Sequence, residues 1–154
     1  MYNAEKTCCF TGHRPKKLHT DEETIRKELK AKITEAIEAG YNTFISGMAF
    51  GVDLWAAEIV LGLKKDRQAL RLICAFPFQK KNYTAEEIRV MNAADLVEHV
   101  SEQYLPIGYH LRNQWMVDRS SRVIAVFNGT PGGTERTIEY AKQTGKEIIL
   151  IECK

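Results

Sequence analysis

The stretch Tyr41-Asn42-Thr43-Phe44-Ile45-Ser46-Gly47-Met48-Ala49-Phe50-Gly51-Val52-Asp53-Leu54 decides the fold class. A β-prone run over residues 41–45 meets a turn carrying Gly47 and Gly51. An amphipathic segment follows to about Leu63, with Leu54, Ala57, Glu58 and Leu61 on one side. Strand, glycine turn and helix in that order form half of a βαβ crossover.

The same order recurs on both sides. Upstream, residues 7–10 predict a strand that ends in Thr11-Gly12-His13-Arg14-Pro15. A helix is expected from Thr20, where Thr20 and Glu23 fit a capping box. Ile25, Leu29, Ile33 and Ile37 give it one buried stripe, and Gly40 stops it. Downstream, residues 70–76 form a near-continuous apolar run of the kind buried on both faces of a parallel sheet, with Pro77 interrupting it. Thr84 and Glu87 open a short helix to about Ala94. Residues 96–100 follow as a fourth strand, 108–121 as a helix and 122–127 as a fifth strand. Asn128-Gly129-Thr130-Pro131-Gly132-Gly133-Thr134 then leads into a helix ending near Gly145, and residues 147–151 make a last strand.

This pattern predicts one α/β domain over residues 1–154, a Rossmann-like three-layer α/β/α fold with a mostly parallel sheet. The expected strand order is 3-2-1-4-5 with the final strand beside the fifth. Strands 1 and 4 would then flank the point where the order reverses, which is where open α/β sheets bind ligands. The loops leaving strands 1, 2 and 5 would share that edge.

The chain has 154 residues, 44% of them hydrophobic, and a net charge of +2. No run reaches the roughly 18 apolar residues of a membrane span, and residues 1–6 carry no apolar signal core. A soluble cytoplasmic protein without a membrane partner is expected. The small net charge argues against a nucleic-acid partner. Cys8, Cys9, Cys74 and Cys153 form no C-x-x-C pair and have no histidines at zinc spacing, so reduced thiols and no metal site are expected. A homo-oligomer is compatible with the sequence.

Four constellations carry chemistry. In the first, Ser46, Gly47, Ala49, Gly51 and Asp53 stand at a strand-to-helix turn, where glycines admit a ligand to the backbone and Asp53 can accept from ribose hydroxyls. The same residues also serve as a plain turn with an acidic helix start. In the second, Gly132, Gly133 and Thr134 can form an anion nest at a helix N-terminus, or only a glycine-rich turn. In the third, Gly12, His13 and Arg14 follow strand 1, and Arg14 suits a phosphate. Lys16 and Lys17 read as a solvated pair. In the fourth, Arg112, Trp115, Met116 and Arg119 share a helix face that is as readily core as ligand contact, and Glu139 lies on the helix after the Gly-Gly loop.

Taken together, Thr11–Pro15, Ser46–Asp53, Trp115-Met116-Val117-Asp118 and Gly132-Gly133-Thr134 resemble the YpsA family, in the SLOG superfamily with DprA and the LOG phosphoribohydrolases. The resemblance runs over nearly the whole chain. It implies a Rossmann-like fold and a small-molecule nucleotide-type ligand, with ADP-ribose, NAD or an AMP-like nucleotide as the bound species. Ser46, Gly47, Ala49, Gly51 and Asp53 match a DprA loop. Pro131, Gly132, Gly133 and Glu139 match the LOG motif Pro-Gly-Gly-x-Gly-Thr-x-x-Glu, although Glu135 and Arg136 replace its Gly-Thr. Met116 and Arg119 match the preceding Met-x-x-Arg, with Ser120 in place of a lysine.

The first function expected is therefore binding or sensing of a nucleotide-type ligand. The alternative is a LOG-type nucleoside monophosphate N-glycoside hydrolase, with Arg119 and Glu139 as catalytic residues flanking the Gly-rich loop. A DprA-like single-stranded DNA binder ranks third.

Overall fold

The computed structural model describes residues 3–153. Six parallel strands form one sheet in the order β4-β3-β2-β1-β5-β6. They are β1 (Thr7–Gly12), β2 (Thr43–Ser46), β3 (Arg71–Phe78), β4 (Leu96–Ser101), β5 (Arg122–Phe127) and β6 (Glu147–Glu152). Between them run α1 (Glu22–Glu38), α2 (Val52–Lys64), α3 (Ala85–Ala93), α4 (Gly108–Asp118) and α5 (Gly133–Gln143).

The period-2 alternation of the strands divides the helices into two layers. Cys8, Phe10, Phe44, Leu72, Cys74, Phe76, Ile124 and Val126 meet Ile25, Leu29 and Ile33 of α1, Val60 of α2 and Val90 of α3. Cys9, Ile45, Ile73, Ala75 and Val123 face the other way, onto Met116 and Val117 of α4 and Ala141 of α5. Phe10 and Phe44 stack at 6.1 Å between ring centroids, and neither is exposed. Each such ring stabilises the fold by roughly 1.5–3 kcal/mol through burial.

The expected order needs one correction. β4 lies outside β3 at the sheet edge instead of beside β1, so β1 and β5 flank the reversal. The reason is local: Leu96, Val97, Glu98, His99, Val100 and Ser101 are all half-buried, which suits an edge strand and not a central one. α3 joins α1 and α2 on the same face, and α4 then crosses back beneath β4, β3 and β1 to reach β5.

Several boundaries also differ; β2, for one, runs Thr43–Ser46 and not 41–45. Asp21 caps α1 instead of Thr20: its carboxylate accepts from the Thr24 N–H at 3.2 Å and places negative charge at the helix start. β3 continues through Pro77, because β2 ends opposite Cys74 and pairing with β4 resumes at Phe78. α4 ends at Asp118, leaving Arg119 as its C-cap. The Thr84–Glu87 capping box is present with both of its hydrogen bonds, and Gly40 adopts φ 103° beyond the end of α1.

All four cysteines are buried and free. Desolvation pushes the Cys9 and Cys74 thiols up to about 12, which makes them inert as nucleophiles. Among the described residues no helix is long and apolar enough to cross a membrane.

Gly12 shows how closely the layers meet: a Cβ there would lie 2.7 Å from the Val52 side chain, at the first turn of α2. Gly12→Ala should therefore destabilise the protein by about 1–3 kcal/mol through overpacking. Gly62, inside α2, has open space around its Cα. Gly62→Ala should stabilise by roughly 0.5–1 kcal/mol. Urea unfolding of both variants checks the pair, and equal midpoints would refute the packing argument.

Candidate functional site

β1 delivers the first element of the site. The His13 N–H donates to the Val126 carbonyl at 3.4 Å, extending the β1–β5 pairing one residue beyond the strand. The imidazole stacks on Phe127 at 5.4 Å and is only 4% exposed. Its Nε2 is buried without a hydrogen-bond partner. Burial and the nearby Lys17 ammonium lower its pKa, and the Asn128 side chain opposes them, so the ring stands neutral at pH 7.

The loop between β2 and α2 is locked by its own bonds. Ser46 Oγ donates to the Asp53 carbonyl at 2.8 Å and accepts from the Met48 N–H at 3.1 Å. Asp53 Oδ2 accepts from the Ala49 N–H at 3.3 Å. Met48 holds φ 61°, unusual for a side chain of its size, and Gly51 holds φ 100°. A Cβ on Gly51 would also lie 2.7 Å from Pro15 Cδ, so the first two loops touch there.

Arg112 fastens this loop from below. From the second turn of α4, its Nη1 donates to the Gly47 carbonyl and, at 3.4 Å, to that of Ala75, while Nε donates to Asn113 Oδ1 at 2.9 Å. Gly47 sits between two charges: a Cβ would fall 2.9 Å from Asp53 Oδ2 and 3.0 Å from Arg112 Nη1. Burial raises the Asp53 pKa, and Arg112, the Ala49 N–H and Arg14 oppose it. Burial lowers that of Arg112, which Asp53 counters.

Above these residues the carboxyl edge of the sheet opens as a crevice with two joined hollows. The polar hollow, about 190 Å³, is lined by Thr11, Gly12, His13, Arg14, Lys17, Asp53, Asn113, Gly133 and Thr134. The aromatic hollow, about 320 Å³, is lined by Met48, Leu54, Phe76, Phe78 and Tyr109, with Lys80, Glu86 and Glu87 as its charged side chains farthest in sequence from the loops. Arg14, Ala49, Tyr109 and Arg112 border both. α5 begins at the polar hollow. Gly132 is its N-cap and supplies no side-chain capping bond, so the first-turn N–H groups of α5 have no such acceptor. A Cβ on Gly132 would lie 3.5 Å from Lys17 Nζ, which puts that ammonium at the same loop.

Of the residues singled out from sequence, Gly12, His13, Arg14, Gly47, Ala49, Asp53, Gly133 and Thr134 line the crevice. Ser46 and Gly51 shape the loop without bordering either hollow, and Gly132 stands beside Lys17. Arg119 and Glu139 are not brought together, and neither borders the crevice. Arg119 lies before β5, at the amino edge of the sheet, with its guanidinium 4.0 Å over the Trp115 ring. The six residues of β5, on the order of 20 Å, separate it from the Gly-rich loop. Glu139 is on the outer side of α5, 57% exposed, 3.7 Å from Lys142. The expectation that they flank the loop fails because one precedes the strand and the loop follows it.

Sequence reasoning passed over Lys17, Tyr109, Asn113 and the site role of Arg112. Arg112 did leave a signal: it stands four residues before Met116, which is buried against the sheet, so a charge on that stripe needed a partner. The aromatic hollow left none, because Phe76, Phe78 and Tyr109 converge only through tertiary packing.

The comparisons agree with this architecture. A family model, YpsA, described as the YspA SLOG family, matches residues 8–154. A UPF0398 protein of Bacillus thuringiensis (strain Al Hakam) is 29% identical over 156 residues, spanning 92% of this chain and 85% of the relative. A UPF0398 protein of Bacillus cereus (strain B4264) is 28% identical over the same spans. Among solved structures, DNA processing protein A from Helicobacter pylori, described for its single-stranded DNA binding mode, superposes with TM-score 0.68 at 18% identity, over 96% of this chain and 65% of that one. DprA from Streptococcus pneumoniae gives TM-score 0.68 at 16% identity, over 95% and 50%. At those identities the two structures share the fold, whereas the family match covers nearly the whole sequence: the chain belongs to the YspA SLOG family.

Proposed function

We propose that the crevice binds a nucleotide-type ligand, with a phosphate in the polar hollow and the base in the aromatic one. One observation carries this reading. The uncapped start of α5 borders the same small hollow as Arg14 and Lys17, and the His13 ring, whose Nε2 is buried without a partner, forms part of its wall. Helix N–H groups and two cations are what a phosphate requires. Directly adjoining is an apolar, aromatic hollow that accepts a ring face. Asp53, at the floor between the loops, offers an acceptor to ribose hydroxyls.

Gly133 tests the phosphate end. Its Cβ position is open and its φ is ordinary, so a side chain there causes no strain. An acid in the first turn of α5 also suits the helix dipole. Gly133→Asp should therefore leave Tm equal or slightly higher, yet weaken AMP or ADP-ribose binding by tenfold or more in calorimetry. Unchanged affinity would overturn the placement of the phosphate.

The likeness to DprA raises a rival, extended single-stranded DNA. Net charge is +2, and the basic groups around the crevice are few: Arg14, Lys16, Lys17, the buried Arg112, and Lys80, which is paired with Glu87. Affinity for a 20-nucleotide single strand should be weak and lost as salt rises from about 50 to 200 mM. Tight binding that survives this range, measured by fluorescence anisotropy, would transfer the assignment to DNA.

A further inference from the structure

We propose that the aromatic hollow selects guanine, with Lys80 donating to O6 and N7 of the base and the Glu86 carboxylate accepting from its N1–H and its N2 amino group. This rests on the nucleotide reading of the crevice and names the base. Lys80, Thr84, Glu86 and Glu87 border the aromatic hollow, and none of them borders the polar one. With the phosphate in the polar hollow, these groups meet the hydrogen-bonding edge of the base, while Phe76, Phe78 and Tyr109 meet its faces.

Lys80 is a fixed cation. Its Nζ lies 2.6 Å from Glu87 Oε2, 5.0 Å from the centre of the Tyr83 ring and 5.8 Å from that of Phe76. Its backbone N–H donates to Tyr83 Oη at 3.2 Å. The pair with Glu87 uses one of the three ammonium protons, and the side chain is still 35% exposed. Two protons remain for a ligand. Guanine offers two neighbouring acceptors, O6 and N7. Adenine offers N7 beside an amino donor, which would face the ammonium.

Glu86 supplies the complementary acceptor. Glu87 is already engaged: its Oε1 accepts from the Thr84 N–H at 2.8 Å and its Oε2 from Lys80. The Glu86 side chain makes no hydrogen bond or ion pair among the described residues. It stands between the two members of the Thr84–Glu87 capping box, so the backbone that carries it is fixed at the start of α3. The helix dipole accounts for an acid in this turn. It does not account for a free carboxylate that borders a ring-sized hollow together with a lysine. An ionised carboxylate only accepts hydrogen bonds. Guanine presents it with two donors side by side, N1–H and the N2 amino group. Adenine presents a bare N1, whose lone pair repels it.

Calorimetry with GMP and AMP tests the base, because the two share ribose and phosphate. The wild type should bind GMP on the order of tenfold tighter than AMP. Glu86→Gln keeps the size of the side chain but turns half of its acceptor into a donor, and should bring that ratio toward one. Lys80→Met should lower the ratio as well. Glu86 is exposed, so an unchanged Tm establishes that its variant folds. Lys80→Met strips the buried Glu87 of its partner, and if that variant unfolds, Glu86→Gln decides alone. AMP binding as tightly as GMP in the wild type overturns the guanine assignment while the nucleotide reading stands. So does a GMP preference that survives Glu86→Gln. Failure of both nucleotides to bind overturns the nucleotide reading and this proposal together.

Discussion

The guanidinium of Arg112 holding the carbonyls of Gly47 and Ala75 is the contact on which the crevice depends. It ties α4, which crosses beneath the sheet, to the end of β2 and the middle of β3. A buried cation without compensation would cost several kcal/mol. Here the compensation comes from two backbone carbonyls, from Asn113 and from the Asp53 carboxylate across Gly47. Gly47 is required because only a residue without a Cβ lets the two charged groups close on either side of it. The loop that would approach a ligand is thus braced from below before any ligand arrives.

This explains why the site was partly legible in the sequence. Features that depend on neighbouring residues could be read directly: the glycine turns at 47–51 and 132–133, the Thr84–Glu87 box, and the strand-helix alternation. β5 was legible to the residue, because residues 122–127 are apolar between turn signals. Features that depend on which strand lies beside which were not. Residues 96–101 have an edge composition, but composition does not say which edge, and β4 was expected beside β1. Lys17 looked like solvated charge until the Asn128 amide, donating to its carbonyl at 3.0 Å, brought that turn beside the Gly-rich loop. Arg119 and Glu139 look adjacent in the order of elements, yet a strand has two ends, and a motif match carries no information about which end a side chain occupies.

The reversal of strand order supplies the rest of the geometry. α1, α2 and α3 cover one face and α4 and α5 the other, so the connections leaving β1 and β5 part at their carboxyl ends. Nothing in the sheet fills the gap between them. Gly12 lets α2 come down onto β1, which deepens the gap, and His13 continues the β1 ladder into it. The polar hollow is therefore a consequence of topology, and its residues decide only what it holds.

The contrast in rigidity between floor and rim has a consequence for binding. Ser46, Asp53, Arg112 and the strained Met48 fix the floor through buried bonds, so it loses little conformational freedom when a ligand arrives. Arg14, Lys16 and Lys17 are exposed, and each loses side-chain entropy if it closes on a phosphate. Affinity should then be dominated by the floor and the ring faces, with the rim cations adding mostly attraction at a distance. Screening acts on the second contribution and hardly on the first. A ligand held chiefly by stacking and backbone N–H groups keeps most of its affinity at salt concentrations that remove a polyanion held by the rim alone. The division between a braced floor and an exposed rim is thus what would separate a small ring-bearing ligand from a polyanion at this edge of the sheet.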